Sequence, residues 1–256
     1  MIGIFDSGVG GLTVVKEIKK QLPDCSFVYL GDNARTPYGA RSQETIQKYS
    51  CEIVDFLIGQ GVTAIVVACN TASAFAGEML QQKYQLPIFE VITPAATAAV
   101  RLTKGRVGVI GTRGTINSRA YERAIKSFNS EIEVKNAACP LFVPLIEEDW
   151  LNKPEIKTIA RKYLYPLKCQ EIDVLILGCT HYPLIKKIIA DKIGRRVKLI
   201  DPAEEAVKML KRYLSDNPQR QKGRQEYFVT DLSSRFKEIA KNWLKEDIQI
   251  KKADLN

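Results

Sequence analysis

Short apolar runs alternate with longer segments of helical periodicity along the chain. The runs are nearly continuous in apolar, often β-branched residues, which is typical of strands buried on both faces of a parallel sheet. Their alternation with helical segments predicts an α/β fold with parallel sheets. The predicted strands are residues 2–5, 27–30, 64–68, 88–91, 107–110, 174–177 and 197–200, and the segment 227–230 is also strand-like.

Helix starts are predicted at several points between these strands. Apolar residues recur at helical spacing over 42–58, which predicts an amphipathic helix connecting two strands. Asp201 precedes a proline and is predicted to cap a helix, with Glu204 placed to reach back to the cap. Thr93 also precedes a proline and predicts a further helix start.

The chain contains a weak internal repeat. Segment 2–11 resembles 107–116, segment 64–71 resembles 174–181, and both pairs are separated by nearly the same number of residues. Apolar strands resemble one another easily by chance, but the second pair also matches Cys69 with Cys179. The repeat therefore predicts two pseudo-symmetric halves, each with a glycine-containing turn and a cysteine at the end of a strand.

Length and composition fit a globular protein of one large or two ordinary domains. The chain has 256 residues, of which 45% are hydrophobic and 26% charged. No apolar run approaches the roughly 20 residues needed to cross a bilayer. The first residues lack the basic start and the cleavage site of a signal peptide. We therefore expect a cytoplasmic protein without a membrane segment.

The cysteine and histidine content excludes several classes of site. The six cysteines form no Cys-x-x-Cys motif, so neither a zinc knuckle nor a thioredoxin-type redox pair is predicted. A disulfide framework is not expected in a cytoplasmic chain of this size. His181 is the only histidine, which argues against His-rich metal sites and most Ser–His hydrolases. We expect no bound metal.

The net charge of +9 leaves two interpretations. Basic residues gather at 186–187, 192–198 and 208–224, as they would on a nucleic-acid-binding surface. They could equally lie on solvated helix faces that mildly attract anions. Interleaved aromatics, an RNA-binding signature and a zinc finger are all missing from the sequence. Nucleic-acid binding is therefore not expected, whereas a small anionic substrate would suit the charge.

Cys69 and Cys179 are the principal candidates for chemistry. Each directly follows a predicted strand and precedes a polar residue and a predicted helix. The carboxyl ends of parallel strands form the ligand crevice, and a helix N-terminus lowers a thiol pKa. Two thiols on opposite sides of a substrate could invert a carbon centre, one as base and one as acid. The remaining cysteines are predicted to be small packing residues: Cys25, Cys51, Cys139 and Cys169.

Two loops could bind a carboxylate substrate beside these cysteines. The glycine-rich turn 6–11 follows the first strand and opens a helix, an arrangement that binds anions. It matches neither the dinucleotide fingerprint nor the P-loop, so nucleotide binding is not expected. The polar loop 32–39 is long enough to fold over a ligand. Side chains and amides of Asn70, Thr71 and Thr180 could donate hydrogen bonds.

Segments 6–11, 32–39, 68–73 and 178–184 resemble the signature segments of the bacterial glutamate racemases, within the aspartate/glutamate racemase superfamily. They occur in the same order and at the same spacing, and the similarity extends over nearly the whole chain. The resemblance implies cofactor-independent interconversion of L- and D-glutamate for peptidoglycan synthesis, by a protein that is usually a homodimer. It also implies an inserted domain, 93–204, within a first domain of 1–92 plus 205–256, with the active site in the cleft between them.

The resemblance assigns roles by motif position. Cys69 and Cys179 are implied as catalytic, with Asp6 assisting the first and His181 the second. Glu147 is implied as an acid near the second cysteine. The implied substrate-contacting residues are Asp6, Ser7, Tyr38, Gly39, Asn70, Thr71, Thr180 and His181.

Some of these assignments remain open from the sequence. The match at Glu147 is looser because Asp149 stands where a glycine is common, so Glu147 could be a solvated acid. His181 could serve only to order its turn.

Three alternatives to glutamate racemisation are also open. An aspartate or hydantoin racemase would share the paired cysteines. A cysteine hydrolase would use Cys179 and His181, although two residues on a tight turn are awkwardly spaced for thiol–imidazole contact and Cys69 would be unused. A nucleic-acid binder would use the basic clusters.

Overall fold

The computed structural model describes residues 1–218 and 223–255, and its core consists of two parallel β-sheets covered by helices. The strands are β1 (Ile2–Asp6), β2 (Phe27–Gly31), β3 (Ala64–Val67), β4 (Ile88–Glu90), β5 (Arg106–Gly111), β6 (Glu133–Ala138), β7 (Val174–Gly178), β8 (Lys198–Ile200), β9 (Gln225–Val229) and β10 (Ile250–Lys252). The helices are α1 (Leu12–Gln21), α2 (Gln43–Gly59), α3 (Asn70–Lys83), α4 (Ile92–Leu102), α5 (Arg113–Asn117), α6 (Ala120–Phe128), α7 (Phe142–Glu147), α8 (Pro154–Cys169), α9 (Lys186–Ile193), α10 (Pro202–Asp216) and α11 (Ser234–Leu244).

The order of the strands confirms the predicted fold class of two parallel-sheet α/β units. The six-stranded sheet has the order β10-β9-β2-β1-β3-β4 and the four-stranded sheet the order β6-β5-β7-β8. The order β2-β1-β3-β4 thus recurs as β6-β5-β7-β8, and every pairing is parallel. The sequence repeat pairs β1 with β5 and β3 with β7, the same pairs that the topology matches. The boundaries 1–92 plus 205–256, and 93–204, stay a prediction.

Every predicted strand is present, but the sequence missed β6 and β10. Both are edge strands, and each pairs with a single neighbour. β6 is half-exposed along its length and reads EVKNAA, so it lacks the apolar run of a doubly buried strand. In contrast, every residue of β1, β2, β3 and β7 is buried. The segment predicted as strand-like at 227–230 lies largely within β9.

The caps of two helices differ in part from their prediction. The Asp201 side chain accepts a hydrogen bond from the Ala203 amide at 2.9 Å, which confirms it as the cap of α10. Glu204 does not reach back; its carboxylate pairs with Lys186 at 2.8 Å. The start predicted at Thr93 is also wrong, because α4 already begins at Ile92.

Glu90, the last residue of β4, explains the earlier start of α4. Its two carboxylate oxygens accept hydrogen bonds from the amides of Ile92 and Thr93, at 2.5 and 2.8 Å. The carboxylate therefore satisfies first-turn donors that a Thr93 cap would leave open.

The structure also bears on the expectations about a membrane segment, the basic clusters and the cysteines. Among the described residues, no helix is long and apolar enough to span a membrane. The basic segment predicted at 208–224 lies partly outside the described residues, which omit 219–222.

All six cysteines are free thiols, and Cys169 is exposed at the end of α8. Its prediction as a packing residue is therefore wrong.

Candidate active site

A cavity of about 480 Å³ contains both candidate cysteines. Cys69 follows β3 and Cys179 follows β7, the equivalent strands of the two sheets. The cavity is lined by the segments that follow the carboxyl ends of strands in both sheets, as expected for parallel α/β folds. Of the residues predicted for the site, it brings together Ser7, Tyr38, Gly39, Cys69, Asn70, Thr71, Glu147, Cys179, Thr180 and His181.

Cys69 is a buried thiol at the start of α3. Its sulfur accepts a hydrogen bond from the Ala72 amide at 3.4 Å and donates one to Ser7 Oγ, also at 3.4 Å. Burial raises the pKa of Cys69 to about 12, and the nearby Asp6 charge acts in the same direction. The lower pKa predicted from the helix N-terminus is therefore wrong, because desolvation outweighs the hydrogen bonds to the sulfur.

Cys179 has a different local structure. The 3-10 helix Tyr182–Ile185 follows it, and α9 begins only at Lys186, so the α-helix expected directly after Cys179 is absent. The Nδ1 atom of His181 lies 3.8 Å from the Cys179 sulfur. The expectation that two residues on this turn are awkwardly spaced for contact is therefore wrong. A proton can pass between the thiol and the imidazole.

Glu147 completes a chain of side chains behind Cys179. Its Oε1 atom lies 2.8 Å from His181 Nε2, so the carboxylate contacts the imidazole and is not simply solvated. Burial acts to lower the pKa of His181, but the hydrogen bonds to Cys179 and Glu147 outweigh it and raise the pKa to about 10. His181 is consequently an imidazolium at neutral pH.

The position of Asp149 accounts for the looser sequence match around Glu147. Asp149 has φ 58° and ψ 31°, in the left-handed region. Glycine enters this region without steric cost, and aspartate is among the residues that tolerate it. The chain can therefore carry Asp149 after α7 and still direct Glu147 toward His181.

Asp6 lies behind the cavity. One carboxylate oxygen accepts the Gly8 amide at 3.0 Å, and the other accepts the Thr180 hydroxyl at 3.4 Å. Burial raises its pKa, while the positive charge of His181 lowers it. Asp6 is not among the residues that line the cavity, so its predicted direct contact with substrate finds no support in this geometry.

The loop 32–39 covers one side of the cavity and is anchored by a buried carboxylate. Asp32 accepts hydrogen bonds from Tyr38 at 2.5 Å, Arg35 at 2.7 Å and Thr230 at 2.9 Å. The Tyr38 hydroxyl is therefore bound to Asp32. Thr230 follows β9, so the returning C-terminal segment helps hold the loop.

Thr71 joins the two halves of the site. Its hydroxyl lies 3.0 Å from that of Thr112 and 3.1 Å from that of Thr115. Thr71 belongs to the segment after β3, whereas the other two belong to the segment after β5. Thr71 thus has a structural bond across the cleft in addition to its predicted contact with substrate.

Sequence reasoning missed several residues that line the cavity, among them Thr112, Arg113 and Cys139. The internal repeat aligns Thr112 with Ser7, so the repeat could have identified it. Cys139 follows β6, the polar edge strand that the apolar pattern did not reveal. Its prediction as a packing residue is incomplete, since it is buried and also lines the cavity.

A second cavity, of about 660 Å³, lies between α3 and the starts of α4 and α6. It is lined mainly by glutamine, serine and alanine side chains and contains neither candidate cysteine nor the histidine. Within 1–218 and 223–255, no group of three or more His, Cys, Asp or Glu residues could hold a metal ion. The smaller cavity is therefore the candidate active site.

Known proteins resemble this chain in sequence and in fold. The model of the Asp/Glu/Hydantoin racemase family matches residues 3–210. A glutamate racemase from Geobacter metallireducens is 50% identical over 248 residues, covering 95% of this chain and 92% of that protein.

Two solved structures are similar over nearly their whole length. Glutamate racemase isoform RacE1 from Bacillus anthracis is 41% identical with a TM-score of 0.95, covering 100% of this chain and 97% of that one. Glutamate racemase from Francisella tularensis, solved in complex with D-glutamate, is 41% identical with a TM-score of 0.93 over the same shares.

Proposed function

Because the chain belongs to the Asp/Glu/Hydantoin racemase family, we propose that it interconverts L-glutamate and D-glutamate without a cofactor, using Cys69 and Cys179 as acid and base. One observation carries the mechanism: thiols at equivalent strand ends of two sheets line a single cavity. The substrate is proposed from relatives named glutamate racemases at 41–50% identity, of which the Francisella tularensis protein was solved in complex with D-glutamate.

The two cysteines have different surroundings. Burial and Asp6 raise the pKa of Cys69 to about 12, so it keeps its proton. Cys179 instead contacts the His181 imidazole, whose Nδ1 atom lies 3.8 Å from its sulfur. In one direction Cys179 removes the α-proton from one face of the amino acid and Cys69 delivers its proton to the other face. The reverse direction exchanges the roles.

The carbanion formed between these steps requires hydrogen-bond donors in a dry site. The first turn of α3 has main-chain N–H groups without partners inside the helix, among them those of Asn70 and Thr71. Both residues line the cavity, as do Ser7 and Thr180. We assign the binding of the substrate carboxylates to these groups and to Gly39, with Tyr38 holding the covering loop.

Asp6, His181 and Glu147 assist the cysteines. Glu147 orients the imidazole through Nε2, which leaves Nδ1 directed at Cys179. Asp6 keeps the proton on Cys69 and accepts hydrogen bonds from the turn that carries Ser7 and Gly8.

The proposal includes a cellular role. D-glutamate made by this reaction would supply peptidoglycan synthesis in the cytoplasm, and the protein would act as a homodimer. These points rest on the resemblance of the sequence to bacterial glutamate racemases.

Incubation of the purified protein with L-glutamate and, separately, with L-aspartate tests the substrate. Circular dichroism should show loss of optical activity with glutamate and little change with aspartate. Racemisation of aspartate alone would overturn the assignment of glutamate.

The contact between Cys179, His181 and Glu147 also resembles a hydrolase triad, which makes hydrolysis the second candidate. The two functions differ at the α-carbon. A racemase exchanges the α-proton of its substrate with deuterium from D₂O, whereas a hydrolase leaves it in place. Incorporation of deuterium detected by NMR would exclude simple hydrolysis, and its absence would exclude racemisation.

A further inference from the structure

Helix α11 contacts both residues that stand behind Cys179, His181 and Glu147. The rings of Trp243 and His181 meet edge to face, with centroids 5.6 Å apart and planes at 90°. Two turns earlier, the Arg235 guanidinium donates a hydrogen bond to the main-chain carbonyl of Glu147 and pairs with Glu148 at 3.6 Å. One helix of the C-terminal segment therefore holds the histidine and the end of α7.

We propose that Trp243 is a positioning residue for racemisation, which fixes the His181 imidazole between Cys179 and Glu147. The proposal rests on the proposed function, because positioning matters only if His181 exchanges a proton with Cys179. Trp243 does not line the cavity and acts through His181 alone.

The hydrogen bonds of His181 do not by themselves prevent its ring from tilting, and contact with Trp243 restricts this motion. The Nε2 bond to Glu147 is 2.8 Å, but the Nδ1 contact with Cys179 is 3.8 Å, so these two contacts leave the ring room to tilt about its bond to Cβ. Gly10 lies against the ring, since a Cβ atom built there would be 2.6 Å from it. With Gly10 and Trp243 both in contact, the ring has little space in which to tilt away from the sulfur.

Trp243 is suited to this role because it is itself immobile. Its side chain is 8% exposed and belongs to the same buried cluster as Leu12, Val15 and Ile239. Because it is held in this cluster, Trp243 keeps the imidazole at the orientation of their edge-to-face contact.

The charged groups around His181 are few. Glu147 and Cys179 bond to it directly, and the carboxylate of Asp6 acts on it through space. From α11, Arg235 is directed at Glu147 and Glu148. Replacing Trp243 therefore changes the contact between α11 and the imidazole but leaves the charged groups around His181 in place.

The single histidine allows a test that does not depend on turnover. The protein is labelled with ¹⁵N-histidine, and the imidazole signals are titrated by NMR in the wild type, Trp243→Leu and Trp243→Phe. Leucine is smaller and would let the imidazole tilt away from Glu147 and Cys179, whose hydrogen bonds raise its pKa, so the pKa of His181 should fall by about half to one unit. Phenylalanine should restore most of this shift. An unchanged pKa in Trp243→Leu would overturn the proposal, whether or not the protein racemises glutamate.

Kinetics of the same variants separate positioning from a general loss of structure. In Trp243→Leu, kcat should fall by about tenfold while KM changes by less than about twofold, since substrate contacts are untouched. Trp243→Phe should recover most of kcat. The control is Trp150→Leu, which removes the other tryptophan, one outside the cavity, and should leave both constants unchanged. Equal activity of Trp243→Leu and the wild type, or no recovery with phenylalanine, would contradict positioning.

A measurement on intact Trp243 covers the case in which Trp243→Leu does not fold. In Trp150→Phe, Trp243 is the only tryptophan, and a protonated imidazole in contact quenches indole fluorescence. The emission should rise over the pH range in which the NMR signals of His181 titrate, and His181→Gln in the same background should abolish this rise. Emission that stays constant through that range would show that Trp243 does not contact the cation, and would overturn the proposal.

Discussion

At the scale of single residues, Cys69 and Cys179 differ in their charged neighbours. Cys69 is buried near a carboxylate, and both factors favour its neutral thiol. Cys179 touches an imidazole that Glu147 holds from the other side. In the proposed mechanism, these different surroundings suit two identical side chains to opposite roles in each direction of the reaction.

Replacement of either cysteine by serine should nearly abolish racemisation. A hydroxyl is a far weaker acid than a thiol, so Cys69→Ser and Cys179→Ser should each lower kcat by about 10² to 10⁴-fold. Steady-state assays with each enantiomer of glutamate measure this. Cys51→Ser is the matched control, because Cys51 is packed between α2 and α3 beside Met79, away from the cavity. Near-normal turnover in either active-site variant would contradict the two-base scheme.

The raised pKa of His181 predicts how stability depends on pH. A histidine whose pKa is higher in the folded protein stabilises the fold fully below its unfolded value of about 6.5. This contribution is lost as the pH rises through about 10, the folded value. Urea unfolding at pH 6, 8 and 10 should therefore show a free-energy advantage of wild type over His181→Gln that shrinks with pH. A constant difference would show that the pKa is not raised.

At the scale of elements, strands with an apolar run could be predicted from the sequence, including the edge strands β4 and β8, whereas the edge strands β6 and β10 could not. Every strand read from an apolar run is present, because a strand covered on both faces needs apolar residues throughout. β6 and β10 are open on one side and carry polar residues, so the apolar pattern does not predict them. Because Cys139 directly follows β6, its position at a strand end was missed as well. The position of α11 was also not predictable, since nothing in the sequence links Trp243 to His181.

The end of α11 offers a test of element stability. Lys245 terminates the helix with φ 61°, and its amide bonds to the Lys241 carbonyl at 2.9 Å. Glycine adopts this conformation without steric cost, so Lys245→Gly should raise the free energy of unfolding by up to about 1 kcal/mol. Lys241→Gly, inside the same helix, should lower it by about 1 kcal/mol. Thermal melts of the two variants that shift in the same direction would contradict the assigned end of the helix.

At the scale of the whole molecule, the site depends on close contact between the segments that follow β1 and β7. The Thr13 hydroxyl donates to the Thr180 carbonyl at 2.8 Å, and the Asp6 carboxylate accepts the Thr180 hydroxyl. The internal repeat predicts two similar halves with a cysteine at a strand end in each, and the family resemblance implies a site in the cleft between them. Neither could predict how closely the glycine turn approaches His181, because that distance is set by the packing of the two units together.

Gly10→Ala tests this approach. Its new Cβ atom would lie 2.6 Å from the His181 ring, so the glycine turn and the His181 turn would have to separate. Overpacking of this kind costs about 1–3 kcal/mol of unfolding free energy, and racemisation should be lost with it. Gly59→Ala is the control, since nothing lies within 4 Å of its Cβ position at the end of α2. Full activity in Gly10→Ala would show that the two turns are not in contact during catalysis.

The pattern of deuterium incorporation tests the two-base account most directly. L-glutamate is incubated with the wild-type protein in D₂O, and both enantiomers are analysed by NMR and chiral separation at low conversion. If one cysteine removes the α-proton and the other delivers a solvent-derived one, the D-glutamate formed carries deuterium and the remaining L-glutamate keeps protium. The reaction started from D-glutamate should give the mirror result. Protium in the newly formed enantiomer, or deuterium in the unreacted one, would show that a single base serves both faces and would contradict the roles given to Cys69 and Cys179.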